Sequence, residues 1–275
     1  MSEAAKILEQ LGGVHVSKSK APFLHKKAER LAARAGIQKP LLYVIPDSAP
    51  NACAVGLSDE DTAVAVTTGL LAKLDESQIE AVLAHEIGHI QKGHSVAKTR
   101  VALKAMAISF AAGTAGRMVL TSDLDFTPGD GDSDDFASLA LKILGQTILQ
   151  SAGNAIASNV LTSASFESEF EADECGGAFS RKPWALASAL KRIEKLTMEG
   201  EKEYEPEVSQ LFIVSPAYLQ HQTHPATLQR IERLVAMKSH MSEVVSLPTM
   251  FCSSCGEKTD TDGVYCYWCG VELGS

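Results

Sequence analysis

Positive charge is in short supply in this sequence. Its 275 residues carry 25 Lys and Arg against 34 Asp and Glu, a net charge of −9 with a pI near 5.4. A chain of that sign repels a phosphate backbone, which argues against nucleic acid as a principal partner. Cysteine is rare over most of the length, because four of the six fall in the last 24 residues. That distribution excludes a disulfide framework for the body of the protein, and the clustered four read as a metal site in a reducing compartment. The opening residues Met1-Ser2-Glu3-Ala4-Ala5 lack the basic stretch and apolar run of a secretory signal. The body of the chain is therefore expected in the cytoplasm or facing it. Internal repeats are also absent, which excludes a solenoid. What remains is an ordinary globular composition, 45% hydrophobic, with enough apolar material for a sizeable core.

The patterned part begins with helical spacing of Phe23, Leu24 and Leu31 over residues 22–35, stopped at Gly36, a residue suited to a left-handed cap. Leu41–Ile45 reads as a short strand closed by Pro46 and Asp47. Ala52–Leu57 and Ala63–Thr67 are two more, divided by the polar Ser58–Asp61 turn. Asp75 with Gln78 three residues on makes a capping-box start, and Ile79, Val82, Leu83, Ile87 and Ile90 carry a helical stripe to Gly93. Further helices are expected over Phe166–Phe179, over Pro183–Met198 with Pro183 in its first turn, and over Pro225–Lys238.

Inside the capped helix lies His85-Glu86-Ile87-Gly88-His89. A helix turns once in about 3.6 residues, so positions four apart share a face and aim two imidazoles at one ion. Glu86 is rotated off that line, towards a water on the metal. Zinc makes such a water acidic near neutral pH, and a neighbouring carboxylate can take its proton as a peptide carbonyl is attacked. A catalytic zinc needs a third protein ligand. The metzincin spacing would place it at Ser95, and His94 is out of register by one. The acidic run Glu167-Ser168-Glu169-Phe170-Glu171-Ala172-Asp173 offers Glu169 and Asp173 on one helical face, suited to one ligand and one carboxylate orienting a ligand histidine. Taken alone, the run reads better as a solvated acidic face, and only the zinc helix upstream reverses that preference.

Four blocks together resemble the HtpX-like family of zinc endopeptidases, which also contains the prenyl-protein CAAX proteases. They are Asn51-Ala52-Cys53-Ala54-Val55-Gly56; Ala63–Leu71 leading into the zinc helix; Glu169-Phe170-Glu171-Ala172-Asp173; and His224-Pro225-Ala226-Thr227-Leu228-Gln229-Arg230-Ile231. The resemblance covers about residues 22–238. It implies zinc held by His85, His89 and Glu169, Asp173 as the companion of a ligand, and Glu86 as general base. It also implies a cleft bordered by Asn51, Ala52, Cys53 and Ala54, on which an extended polypeptide substrate adds as a strand. His224 resembles the family's histidine near the reaction centre, as an oxyanion donor or as a helix cap. Arg230 matches a basic position, expected in a structural ion pair. The implied role is peptide hydrolysis, with protein quality control as its setting. Cys53 stands where phenylalanine is common in the family and Ser168 where arginine is common, which bears on substrate preference. The two N-terminal membrane helices usual in the family's membrane members have no counterpart here.

Cys252-Ser253-Ser254-Cys255-Gly256 and Cys266-Tyr267-Trp268-Cys269-Gly270 are two knuckles that together present four thiolates, a structural zinc site for a segment too short to bury its own core. The tail looks like a zinc ribbon, and its acidic residues suit protein docking better than phosphate. Val101–Leu120 is 20 residues, about 30 Å as a helix, with Lys104 and Arg117 near its ends. Phe136–Phe166 carries a polar stripe of Lys142, Gln146, Gln150 and Asn154, and Thr121–Asp135 between the two holds six aspartates and no Lys or Arg. A membrane-associated hairpin over 101–166 is expected, with the catalytic side cytoplasmic. The expected whole is mainly α with a small β-sheet (α+β), in the gluzincin manner. Residues 1–238 form the metallopeptidase domain, 239–249 a linker and 250–275 the ribbon, with one catalytic and one structural Zn2+. The rival reading is a silent adaptor that keeps the scaffold and binds partners through the ribbon; an intact Glu86 speaks against it.

Overall fold

The computed structural model describes residues 2–121, 166–197, 206–209, 211–214, 225–241, 249–251, 253 and 258–260. The chain divides into two units, residues 1–100 with 165–275, and residues 101–164.

In the larger unit, small and β-branched residues make a four-stranded sheet of β1 (Val14–His15), β2 (Leu41–Ile45), β3 (Ala52–Gly56) and β4 (Thr62–Thr67), in the order β1-β2-β4-β3. β2 and β4 run parallel, while β1 with β2 and β3 with β4 are antiparallel. Every residue of β3 and β4 is buried, which is why these strands read as continuous apolar runs instead of alternating ones. The sheet packs with α2 (Pro22–Ala35), α4 (Glu76–Gln91), α7 (Pro183–Thr197) and α9 (Thr227–Met241) around one core. Leu31, Val66, Leu83, Ile87, Leu190 and Leu234 lie in it.

Local chemistry fixes the helix ends. Gly36 closes α2 at φ 69°, a conformation glycine adopts without cost. At α4, Asp75 accepts from the Ser77 and Gln78 amides and Gln78 returns a bond to the Asp75 amide, a complete capping box. The helix expected from Pro225 begins at Thr227, because the Ala226 carbonyl accepts from Gln229 and Arg230 and so makes Ala226 the boundary. Among the described residues three helices had no counterpart in the sequence reading, α1 (Glu3–Gln10), α3 (Thr68–Lys73) and the single turn α8 (Pro206–Ser209), and neither did the strand β1.

α4 is buried from Gln78 to Ile90 and lies hard against α6 (Phe166–Ser180). Glycine makes this possible at two places. A Cβ on Gly88 would come within 2.7 Å of the Cys175 Cβ, and one on Gly176 within 3.1 Å of the His85 backbone. After α4 the chain turns over Lys92 and Gly93 (φ 73°) into α5 (His94–Thr121), whose first turns return to the sheet. There the Thr99 hydroxyl accepts from the Gly56 amide at 3.2 Å. In the smaller unit α5 continues, with Val101 and Ile108 against Ala105. Among the described residues no helix is long and apolar enough to cross a membrane. The tail contributes a hairpin, β5 (Thr249–Phe251) paired antiparallel with β6 (Lys258–Asp260). The expected class, mainly α with a small sheet, is the class observed.

Candidate metal centre

His85 and His89 stand one turn apart on α4, and Glu169 faces them from α6. All three are buried, at 0%, 3% and 1% exposure. The two Nε2 atoms are 3.1 Å apart, His85 Nε2 is 3.7 Å from Glu169 Oε2, and His89 Nε2 is 3.4 Å from Glu169 Oε1. Zinc bonds of about 2.0–2.1 Å in a tetrahedral arrangement separate neighbouring donors by about 3.3–3.4 Å. The three distances bracket that edge, and the donor set of two imidazoles and a carboxylate is one zinc prefers, so these residues fit a zinc ion.

A tier of charge supports them. Asp173, one turn beyond Glu169 on α6, brings Oδ1 to 3.0 Å from His85 Nδ1. Arg230 of α9 donates from Nε and Nη2 to the two Asp173 oxygens at 2.7 and 2.8 Å. Its Nη1 donates to the Ile213 carbonyl at 2.7 Å, and Nη2 lies 3.4 Å from Glu169 Oε2. Burial alone would raise the proton affinity of Asp173, but the guanidinium overrides it and holds the carboxyl below the usual range. An ionised Asp173 favours His85 with its proton on Nδ1, leaving the Nε2 lone pair free to ligate. Burial lowers the proton affinity of both histidines, well below the ordinary value for His89, so both imidazoles are neutral near pH 7 as metal ligation requires.

Glu86 is 1% exposed, and its Oε1 has no hydrogen-bond partner among the described residues. Burial pushes its carboxyl up to about 8, with the Lys98 ammonium, the Arg230 guanidinium and the Ala54 amide pulling back and Glu169 adding to the rise. A carboxyl poised near neutrality both takes and returns protons readily. Lys98, in the first turns of α5, was not singled out by its sequence position. Its Nζ donates to Glu169 Oε1 and lies 3.4 Å from His89 Nε2. The signal that would have found it is the short Lys92-Gly93 turn, which folds the start of α5 back over the histidines.

Other sequence candidates are placed as follows. His94 pairs with Glu171 at 3.3 Å and stays outside the cluster. Asn51, Ala52, Cys53 and Ala54 are all buried. The edge of β3 over Asn51–Cys53 is already paired: Ile213 donates to the Ala52 carbonyl at 2.9 Å, Cys53 bridges Phe212, and Asn51 Nδ2 donates to the Val214 carbonyl. Burial raises the Cys53 thiol far above its ordinary value, so it stays protonated. His224, Cys252, Cys255, Cys266 and Cys269 lie outside the described residues.

Two buried histidines one turn apart, a facing carboxylate, and a poised carboxyl on the histidine helix thus meet in a group that could hold a metal ion. The chain belongs to peptidase family M48, whose model matches residues 18–238. Among its relatives is the protease HtpX homolog of Pyrococcus furiosus, 37% identical over 225 residues, which are 80% of this chain and 74% of that one. Another is the protease HtpX homolog of Aquifex aeolicus, 34% identical over 242 residues, covering 86% and 78%. A solved structure, S. mikatae Ste24p, overlaps 76% of this chain and 48% of its own at 20% identity and a TM-score of 0.44. The chain is a zinc metalloprotease of the HtpX-like group.

Proposed function

We propose that the chain is an endopeptidase in which His85, His89 and Glu169 hold one zinc ion and Glu86 is the general base. The observation that carries this reading is the convergence of three buried ligand groups, two imidazoles and a carboxylate, at separations near a tetrahedral edge beside the unpartnered Glu86 Oε1. When bound, zinc supplies a Lewis acid that polarises the scissile carbonyl and acidifies water. Glu86 accepts the proton at Oε1 as water attacks, and returns it to the departing amine nitrogen. Asp173 and Arg230 keep His85 oriented. The substrate is a polypeptide, of the kind met in protein quality control. An extended segment that adds to β3 takes the place of Leu211–Val214. An adaptor without catalysis would have no use for a carboxyl at position 86.

The tail is read as a zinc ribbon built on Cys252, Cys255, Cys266 and Cys269, supported by the β5–β6 hairpin that flanks the first knuckle. Residues 101–166 are read as a membrane-associated hairpin, and the catalytic body as cytoplasmic, a reading carried by composition.

The deciding experiment is casein digestion by metal-stripped protein, by the same protein with zinc restored, and by Glu86→Gln. Activity that returns with zinc, and zinc retained without activity in Glu86→Gln, are expected; full activity in that variant sinks the mechanism. Removal of residues 250–275 should lower the zinc content from two ions to one. A carbonate wash that leaves all the protein soluble would refute membrane attachment.

A further inference from the structure

The two imidazoles of the cluster are held in different ways. His85 has the Asp173 carboxylate 3.0 Å from its Nδ1, the position from which an outer carboxylate orients a ligand histidine. No carboxylate stands there for His89. Among the described residues its buried Nδ1 makes no hydrogen bond, and its carboxylate contact, with Glu169, is made through Nε2. What meets the ring instead is a third imidazole. His94 stands edge-on to His89, with 5.5 Å between ring centroids and 67° between planes, inside the range in which aromatic rings attract. His85 lies against His89 as well, at 4.6 Å and 89°, so two rings limit how His89 can turn. His94 is not on the helical face of His89. The Lys92–Gly93 turn, with Gly93 at φ 73°, ends α4 and brings the first residue of α5 back against it. There His94 Nε2 is 3.3 Å from Glu171 Oε2 on α6, while its Nδ1 makes no hydrogen bond among the described residues. Glu171 is therefore the group that sets how the His94 ring is turned.

We propose that His94, held by Glu171, is the positioning residue of His89: the pair fixes the tilt of that imidazole and with it the aim of Nε2 at the metal. The proposal rests on the zinc reading of His85, His89 and Glu169. α6 then steadies both ligand histidines, His85 from Asp173 directly and His89 from Glu171 by way of the His94 ring. The outer pair is the more open, with side chains 18% and 42% exposed against 0% and 2% for His85 and Asp173, so its hold is the weaker of the two.

The test uses full-length His94→Ala, Glu171→Ala, Glu171→Gln and the His94→Ala/Glu171→Ala double variant. Zinc affinity is read by competition with a chromophoric chelator, and His89→Ala serves as the blank for zinc held elsewhere in the chain. His94→Ala should weaken zinc binding by about fivefold or more, towards the loss usual when the support of a ligand is removed. Glu171→Ala should lose less, and Glu171→Gln, which keeps an oxygen for the ring without the charge, should restore most of that loss. The double variant should bind within about twofold of His94→Ala, because Glu171 has nothing left to hold once the ring is gone. Cobalt(II) in place of zinc reports ligand geometry, so its visible bands should move in His94→Ala and stay in Glu171→Gln. Glu174→Ala, which removes an exposed carboxylate from the same helix, should leave affinity and bands unchanged. A smaller loss in His94→Ala, unmoved cobalt bands, or losses that multiply in the double variant overturn the proposal and leave the zinc reading standing. Equal losses in Glu171→Ala and Glu171→Gln also overturn it, because charge alone would then be at work. Should His94→Ala fail to fold, the Glu171 variants decide: a loss that glutamine restores upholds the proposal, and no loss overturns it. If wild type and His89→Ala bind equal zinc, the zinc reading itself falls, and this proposal with it.

Discussion

Two carboxyl groups on α4, six positions apart, are both buried and have opposite fates. Glu80 is 1% exposed and faces Lys27 at 2.9 Å, Arg30 in direct contact and Lys182 at 3.9 Å. Burial would raise its proton affinity, but these cations outweigh it and keep Glu80 ionised. Glu86 is equally buried, yet its Oε1 has no partner among the described residues and its carboxyl is pushed up to about 8. Burial is common to both, so pairing makes the difference. A buried carboxylate with three cations is an anchor; one left short of partners stores a proton and can pass it on.

The largest effect that would sharpen this contrast is catalytic. Glu86→Gln should lower casein hydrolysis by about 10²–10⁴-fold with zinc content unchanged, whereas Glu80→Gln should leave the turnover of folded protein near wild type. Comparable losses in both would break the comparison. Next in size is Arg230→Met, which strands Asp173 and loosens His85. A loss of about 3–5 kcal/mol in stability is expected by denaturant titration, together with weaker zinc retention. Glu80→Gln should cost less, about 1–3 kcal/mol, since Arg30 is about half exposed and rehydrates when its partner is lost.

Per pH unit the effect is smaller still, and it is a slope. In the unfolded chain Glu86 ionises near the ordinary 4.5, while in the fold without metal burial keeps its proton on up to about 8. Between those values the folded state binds more protons, so the Glu86 contribution to stability is present below pH 4.5 and fades as pH rises through 8. The unfolding free energy of metal-stripped protein, from urea titration, should decline across this window by about 1.4 kcal/mol per pH unit at most. The decline should be absent in Glu86→Gln.

Much of this was legible in the sequence, and the gaps have physical reasons. The start of α4 could be read because Asp75 and Gln78 are local signals three residues apart, and both bonds are made. β2 could be read to the residue because Pro46 ends it. The pair His85 and His89 needed only helical periodicity. Glu169 was a different matter: an acidic run has no period that separates a ligand from a solvated face, and only packing of α6 on α4 through Gly88 and Gly176 brings it within 3.4 Å of His89. α1 escaped notice because it is eight residues long, and its start is held by Asp61, which accepts from the Glu3 and Ala4 amides across 58 and 57 residues of sequence. Lys98 escaped for the same reason. Its significance lies in a partner 71 residues away.

Ile213 has a consequence that reaches beyond its size. Its amide is fastened to the Ala52 carbonyl at the edge of β3, and its own carbonyl is fastened to Arg230, which grips Asp173 and through it His85. One residue thus stands as a latch with a hand on each side, the edge of β3 and the Arg230–Asp173 pair behind His85. Any strand that claims the Ala52 carbonyl must prise Ile213 away, and in doing so it tugs on the guanidinium that keeps an imidazole in line. The edge of β3 and the set of the histidine are thereby two ends of one lever.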